Sequence, residues 1–183
     1  MTSYAVFLRG INVGGITIKM ADLKEALKAG PFTGVKTLLA SGNVVLASDL
    51  SPAAVKKEFE TMLRKSFGYD AWVVVLTLER VAELVAACRY PADDKTTHTY
   101  LTLASDKAAL DELFAAGKAL DSVEQERLGP EALAWLAPAG GTLESPFSKL
   151  TAKAKYKAST TTRNLRTMIK VRDAAAALEE AAS

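Results

Sequence analysis

The residues best suited to hold an anion sit near the C-terminus, in the run STTTRNLRT at 159–167. Ser and Thr start helices by offering a side-chain oxygen to the unpaired N–H groups of the first turn. A stretch of helical period follows the run, so a helix is predicted to begin near Thr161 or Thr162. Arg163 and Arg166 then fall in its first turn or so, with Asn164 between them. Lys170 lies four residues further on, so the three cations share one helical face. Leu165, Met168 and Ile169 lie opposite and should pack on the core. The N-terminal end of a helix carries roughly half a positive charge, so each arginine there is unfavourable by roughly 0.3–1 kcal/mol. A bound phosphate, met by hydroxyls, free N–H groups and guanidinium groups, reverses that sign. An Asp or Glu from elsewhere in the fold does the same, and both explanations stay open.

A second candidate lies at the other end of the chain. LRGINVGG, Leu8–Gly15, is a strand running into a glycine-rich turn. Glycines let backbone N–H groups approach a phosphate closely. Arg9 sits at the strand end, where its side chain can reach an anion, and Asn12, Gly14 and Gly15 belong to the turn. The spacing fits neither the P-loop, since Ile16 and Thr17 follow Gly15, nor the dinucleotide fingerprint. A purely structural turn with glycines at positive φ is the alternative. Ser41, Gly42 and Asn43 form a tight-turn signal that could lie nearby, and Lys149 adds a cation.

Other chemistries find little material. The chain has one Cys and one His, which cannot build an ordinary zinc site. No metal and no cofactor is expected. Cys88 follows an apolar helical run, so a buried, inert thiol is expected. A Ser-His-Asp triad would have to use His98, and no G-x-S-x-G elbow exists. The acid pairs Asp93-Asp94 and Glu179-Glu180 read as solvated charge.

The 183 residues, 49% of them hydrophobic, suffice for a real core. No apolar run approaches bilayer length. The opening MTSYAVFLRG lacks a basic n-region and a cleavage site, so no signal peptide is expected. A single Cys fits a reducing cytoplasm. Net charge is +2, yet Lys149 to Arg172 contains eight Lys and Arg and no acid, leaving −6 for the remainder. That asymmetry suggests an anionic partner; a basic face paired with the acidic remainder is the alternative.

Strand-like residues 3–9, a helix from Met20 to about Ala29, strands at 35–40 and 43–47, a helix opened by Ser51-Pro52 and a strand at 71–76 follow one another. This is β-α-β-β-α-β, the split pattern of ferredoxin-like units. A helix from Leu78 to Cys88 precedes the polar loop PADDKT. Strand 98–104, helix 106–120, strands 122–128 and 132–137, helix 146–157 and a last helix from Thr162 to Glu180 repeat the order loosely. Two ferredoxin-like halves, 1–90 and 91–183, packed into one compact α+β protein are the expectation. Tyr4, Val6 and Leu8 alternate with Ala5 and Phe7, so both faces of the first sheet are apolar and both must be covered. The second half of the chain, an extra helix or another subunit can supply the cover. RNA recognition by this sheet is disfavoured, because its third strand offers Asn43, Val44, Val45 and Leu46 where stacking aromatics are needed. Tyr100 and Trp135 could stack bases, though a buried structural role fits both better.

LRGINVGG, KMADL at 19–23, LASGNVVL at 39–46, SKLT at 148–151 and TTTRN at 160–164 together resemble the uncharacterised bacterial family catalogued as domain of unknown function 1697 (DUF1697). The resemblance implies a cytosolic α+β protein with two ferredoxin-like halves and brings no established activity or catalytic residue. It also implies an aromatic, typically Trp, and then Asn after Arg163-Asn164, where this chain has Leu165 and Arg166.

The expected function is binding of a phosphate-bearing ligand, a nucleotide or nucleic acid. Its site would join Arg9, the Gly14-Gly15 turn, Lys149 and the Thr161–Arg163 helix start. An enzyme acting on a phosphorylated small molecule, with these cations stabilising charge, is the second reading; it lacks a convincing general base. A structural module that forms a homodimer through an apolar sheet face is the third. No membrane partner is expected.

Overall fold

The computed structural model describes residues 1–12 and 16–182. By contact they group into two units, Met1–Ala82 with Lys170–Ser183, and Glu83–Ile169. The division passes through two helices rather than through the PADDKT loop.

In the first unit, β1 (Thr2–Arg9), α1 (Met20–Leu27), β2 (Thr33–Leu38), β3 (Asn43–Ser48), α2 (Pro52–Phe67) and β4 (Trp72–Thr77) follow in order, and α3 (Leu78–Ala87) begins directly after β4. The sheet order is β2-β3-β1-β4 with every pair antiparallel. This is the ferredoxin-like arrangement predicted from the split pattern. Local chemistry sets the helix ends. The Ser51 Oγ accepts the Ala54 N–H at 3.3 Å, Pro52 opens α2, and Gly68 at φ 67° closes it.

Tyr4, Val6 and Leu8 of β1 pack on Leu23 and Leu27 of α1 and on Val55, Phe59 and Leu63 of α2. On the opposite face of the sheet, Ala5, Phe7, Val45 and Val74 are buried as well. The C-terminal part of α6 (Leu165–Ala182) belongs to the first unit. There Leu178 lies so close to β2 that a Cβ on Gly34 would meet its Cδ1 at 2.5 Å.

In the second unit, β5 (Thr97–Ala104), α4 (Lys107–Lys118), β6 (Gln125–Arg127), β7 (Ala132–Pro138), α5 (Pro146–Thr151) and β8 (Thr160–Asn164) form a sheet of order β6-β7-β5-β8. Position for position this is the order of the first unit. Each fourth strand runs straight into a helix, α3 after β4 and α6 after β8. Trp135, Phe147, Leu110, Leu113 and Tyr156 are central to its core. The predicted helix at 146–157 is shorter: α5 ends at Thr151 and a 3-10 turn, Ala154–Tyr156, follows.

One element corrects the sequence reading. Thr160–Asn164 is a strand, and α6 begins only at Leu165. Thr is both a fair helix cap and a strong strand former. Here pairing with β5 decides, with Thr162 opposite Thr102 and Arg163 opposite Leu101.

Candidate functional site

The candidate residues fall into two groups, one in each unit. In the first unit, the register of the sheet joins two of the conspicuous motifs. Phe7 pairs with Asn43 and Leu38 with Asn43 from the other side, so the end of β1 and the β2–β3 turn emerge together. The Leu8 N–H donates to the Gly42 carbonyl at 2.9 Å. Asn12 then ties the loop down. Its Nδ2 donates to the Ala40 carbonyl at 2.6 Å and the Ile18 carbonyl at 3.2 Å, and its Oδ1 accepts from the Ile18 N–H at 2.9 Å. Asn43 is fully buried and holds the turn, donating to the Leu38 carbonyl at 2.9 Å and to Ser41 Oγ at 3.0 Å. Ser41 is exposed, whereas Gly42 is buried.

Four residues in this loop pair have left-handed backbones: Gly10 at φ 74°, Asn12 at 56°, Leu39 at 58° and Gly42 at 80°. Gly42 is required twice over, because a Cβ there would meet Ile11 Cδ1 at 2.5 Å. Leu39 is 42% exposed, so apolar burial does not explain its conformation. Arg9 stands at the end of β1 opposite Trp72. It is half-buried, and burial pulls its guanidinium below the usual arginine value. The same end of the sheet carries the α2–β4 connection, where the Tyr69 hydroxyl is buried without a hydrogen-bond partner among the described residues and burial pushes its pKa up to about 12. The sequence pattern gave no sign of Tyr69. Gly14 and Gly15 lie outside the described residues.

In the second unit, the predicted helix start is not one. Thr161 and Arg163 are buried on β8, and the Arg163 Nη1 donates to Thr161 Oγ1 at 2.8 Å and the Thr162 carbonyl at 2.9 Å. On the other face Thr162 bonds Thr102 at 2.9 Å, and Thr102 Oγ1 also accepts from the Trp135 indole at 3.0 Å. Asn164 is the helix cap, its Oδ1 accepting the Arg166 N–H at 2.8 Å. Arg166 does lie in the first turn, where the dipole opposes it. Asp93 meets its Nε at 3.0 Å and the Ala92 carbonyl accepts from it at 2.9 Å. The arginine at the helix start is therefore matched by an internal acid. The expected shared face of Arg163, Arg166 and Lys170 does not exist, since Arg163 precedes the helix. Leu165 and Met168 are buried, as their spacing required.

Other cations of the basic segment also have acid partners. Lys149 meets Glu144 at 3.4 Å, Arg172 meets Asp173 at 2.8 Å, and Lys155 pairs with Glu112. Asp93 and Asp94 are more than solvated charge. Asp94 accepts from the Thr96 hydroxyl and from the Thr96 and Thr97 N–H groups, which hold its pKa down to about 2. Cys88 is half-buried rather than fully buried, and burial raises its thiol pKa. Among the described residues no cluster of three or more His, Cys, Asp or Glu could hold a metal ion. No helix among them is long and apolar enough to cross a membrane.

A ferredoxin-like unit occurring twice in one chain, each copy followed by a helix, defines the class of this α+β protein. Within that class the chain belongs to the family of proteins of unknown function DUF1697, which matches residues 1–133. The matched span contains both loops of the first unit and ends before Lys149 and β8. Among solved structures, a conserved bacterial protein from Streptococcus pneumoniae is similar, with a TM-score of 0.77 at 22% identity over 95% of this chain and 98% of the other. No curated protein matches.

Proposed function

We propose that the chain binds a phosphate-bearing ligand, a nucleotide or a nucleic acid, in the cytoplasm, at the paired loops of the first unit. The observation that carries this reading is the pinned contact of two loops with four left-handed residues, beside a half-buried arginine. Left-handed non-glycine residues cost roughly 1–3 kcal/mol each and persist where surroundings over-determine them, which happens often at ligand clamps. Tight turns bring backbone close to a bound anion, but the Asn12 and Gly42 N–H groups are taken by the Ile16 and Leu39 carbonyls, so side-chain charge must carry the contact. Arg9 adds the charge. Asn12 and Asn43 have the task of shaping the loops, because their amides are engaged internally.

Calorimetric titration with pyrophosphate, a nucleoside triphosphate and a short single-stranded RNA, at two salt concentrations, tests the reading. At least one of them saturates the wild type, and Arg9→Gln weakens it by about ten-fold or more, as expected for a charge-assisted contact. RNA affinity falls steeply with salt through counterion release, whereas a pocketed nucleotide is screened less. Absence of saturable heat with all three removes the proposal.

A further inference from the structure

The second unit carries a feature that the anion reading leaves unused. Aromatic rings stack in a row along the helix-covered face of its sheet. Phe147 lies against Trp135 with centroids 4.9 Å apart, Trp135 stacks on Tyr100 at 4.9 Å and 26°, and His98 stands edge-on to Tyr100 at 6.4 Å. Trp135 and Phe147 are buried, but Tyr100 and His98 are only half-buried. They line a cavity of about 470 Å³, and Thr142, Leu143 and Glu144 of the β7–α5 loop form its other wall. That size suits a small molecule.

The lining chemistry is selective. The floor is aromatic and Leu143, 80% exposed, adds an apolar rim. The polar groups are the Glu144 carboxylate, which only accepts, and the Thr142 hydroxyl, bonded to the Tyr100 hydroxyl at 2.9 Å, and the His98 imidazole, which can each donate as well as accept. Glu144 and its partner Lys149 are 84% and 64% exposed, so the carboxylate can turn to a ligand at little cost. Gly140, at φ 78°, has no atom of the described residues, its chain neighbours apart, within 4 Å of where a Cβ would stand, which leaves space beside the loop backbone.

We propose that this cavity binds a planar nitrogen heterocycle of nucleobase type, stacked on the Tyr100–His98 end of the aromatic row with its N–H donors directed to Glu144. A flat ring extends the row, and its N–H groups match the Glu144 carboxylate, while the hydroxyls and the imidazole can meet either donors or acceptors on its edge. The proposal stands apart from the anion reading, because its probes carry no phosphate.

His98 is the only histidine, so its imidazole gives one resolved set of proton resonances. Titration with adenine, cytosine and guanosine, followed on that signal, is the test, with benzyl alcohol as a ring lacking N–H donors. A base that stacks shifts the His98 resonance saturably, and benzyl alcohol does not. Glu144→Gln weakens the base by about five-fold or more while melting as the wild type does, and Tyr100→Leu weakens it by about as much again, from the usual worth of base–aromatic stacking. A resonance unmoved by all three bases overturns the proposal. So does equal binding of benzyl alcohol, or unchanged affinity in Glu144→Gln, which alone decides the matter if Tyr100→Leu does not fold.

Discussion

Asn12 and Asn164 perform one task in two places. Each uses a short amide to satisfy backbone groups where the chain changes course. Asn12 joins the Gly-rich loop to the β2–β3 turn; Asn164 ends β8 and caps α6. Asn164→Ala is therefore expected to lower stability by about 0.5–2 kcal/mol, read from the denaturant midpoint at unchanged slope. Asp94 makes a related contribution with a pH signature. The hydrogen bonds from Thr96 and Thr97 hold its folded pKa down to about 2, below the ordinary carboxylate range. A carboxylate depressed in this way stabilises the fold above its unfolded pKa and loses that contribution as pH falls through its folded one. Melting curves of the wild type and Asp94→Ala should lie apart at pH 5 and converge between about pH 4 and pH 2. A constant gap down to pH 2 would show that the contribution of Asp94 does not depend on the charge of its carboxylate.

At the scale of elements, the periodicity of the first half was readable because α1 and α2 each bury one stripe and Ser51-Pro52 and Gly68 mark the ends of α2. β8 was not readable. Its Thr run satisfies the rules for a helix cap and for a strand equally, and only pairing with β5, far away in sequence, decides between them. The partner of Arg166 was hidden for the same reason: nothing local links 93 to 166. The joining of the LRGINVGG and LASGN loops follows from the register of β1 against β3, which local pattern does not specify. Helix α4 supplies a prediction that runs against propensity. Gly117 sits inside it, where Ala would ordinarily add about 1 kcal/mol of stability. A Cβ there would meet Phe147 Cε2 at 2.6 Å and Gln125 Oε1 at 2.6 Å. Gly117→Ala should instead destabilise by about 1–3 kcal/mol through overpacking. A higher melting temperature in the variant would mean that this packing yields.

Across the whole molecule, the two halves share a strand order, β2-β3-β1-β4 and β6-β7-β5-β8, without a repeat visible in the sequence. Alternating burial and connection order suffice to repeat a fold, while surface and loop residues diverge. The charge asymmetry has a bland component, since Lys149, Lys155, Arg166 and Arg172 all have acid partners. That moves the anion reading away from the basic segment and onto the Arg9 loops. The most direct test is a thermal melt of wild type, Arg9→Gln and Arg163→Ala against phosphate, pyrophosphate, nucleotides and short RNA. A ligand at a hundred times its dissociation constant adds about 2.7 kcal/mol, a rise of roughly 5–10 °C for a chain of this size. The account predicts that rise in the wild type and in Arg163→Ala, whatever the variant's own starting stability, and its loss in Arg9→Gln. A rise that survives in Arg9→Gln, or none in the wild type, would contradict it.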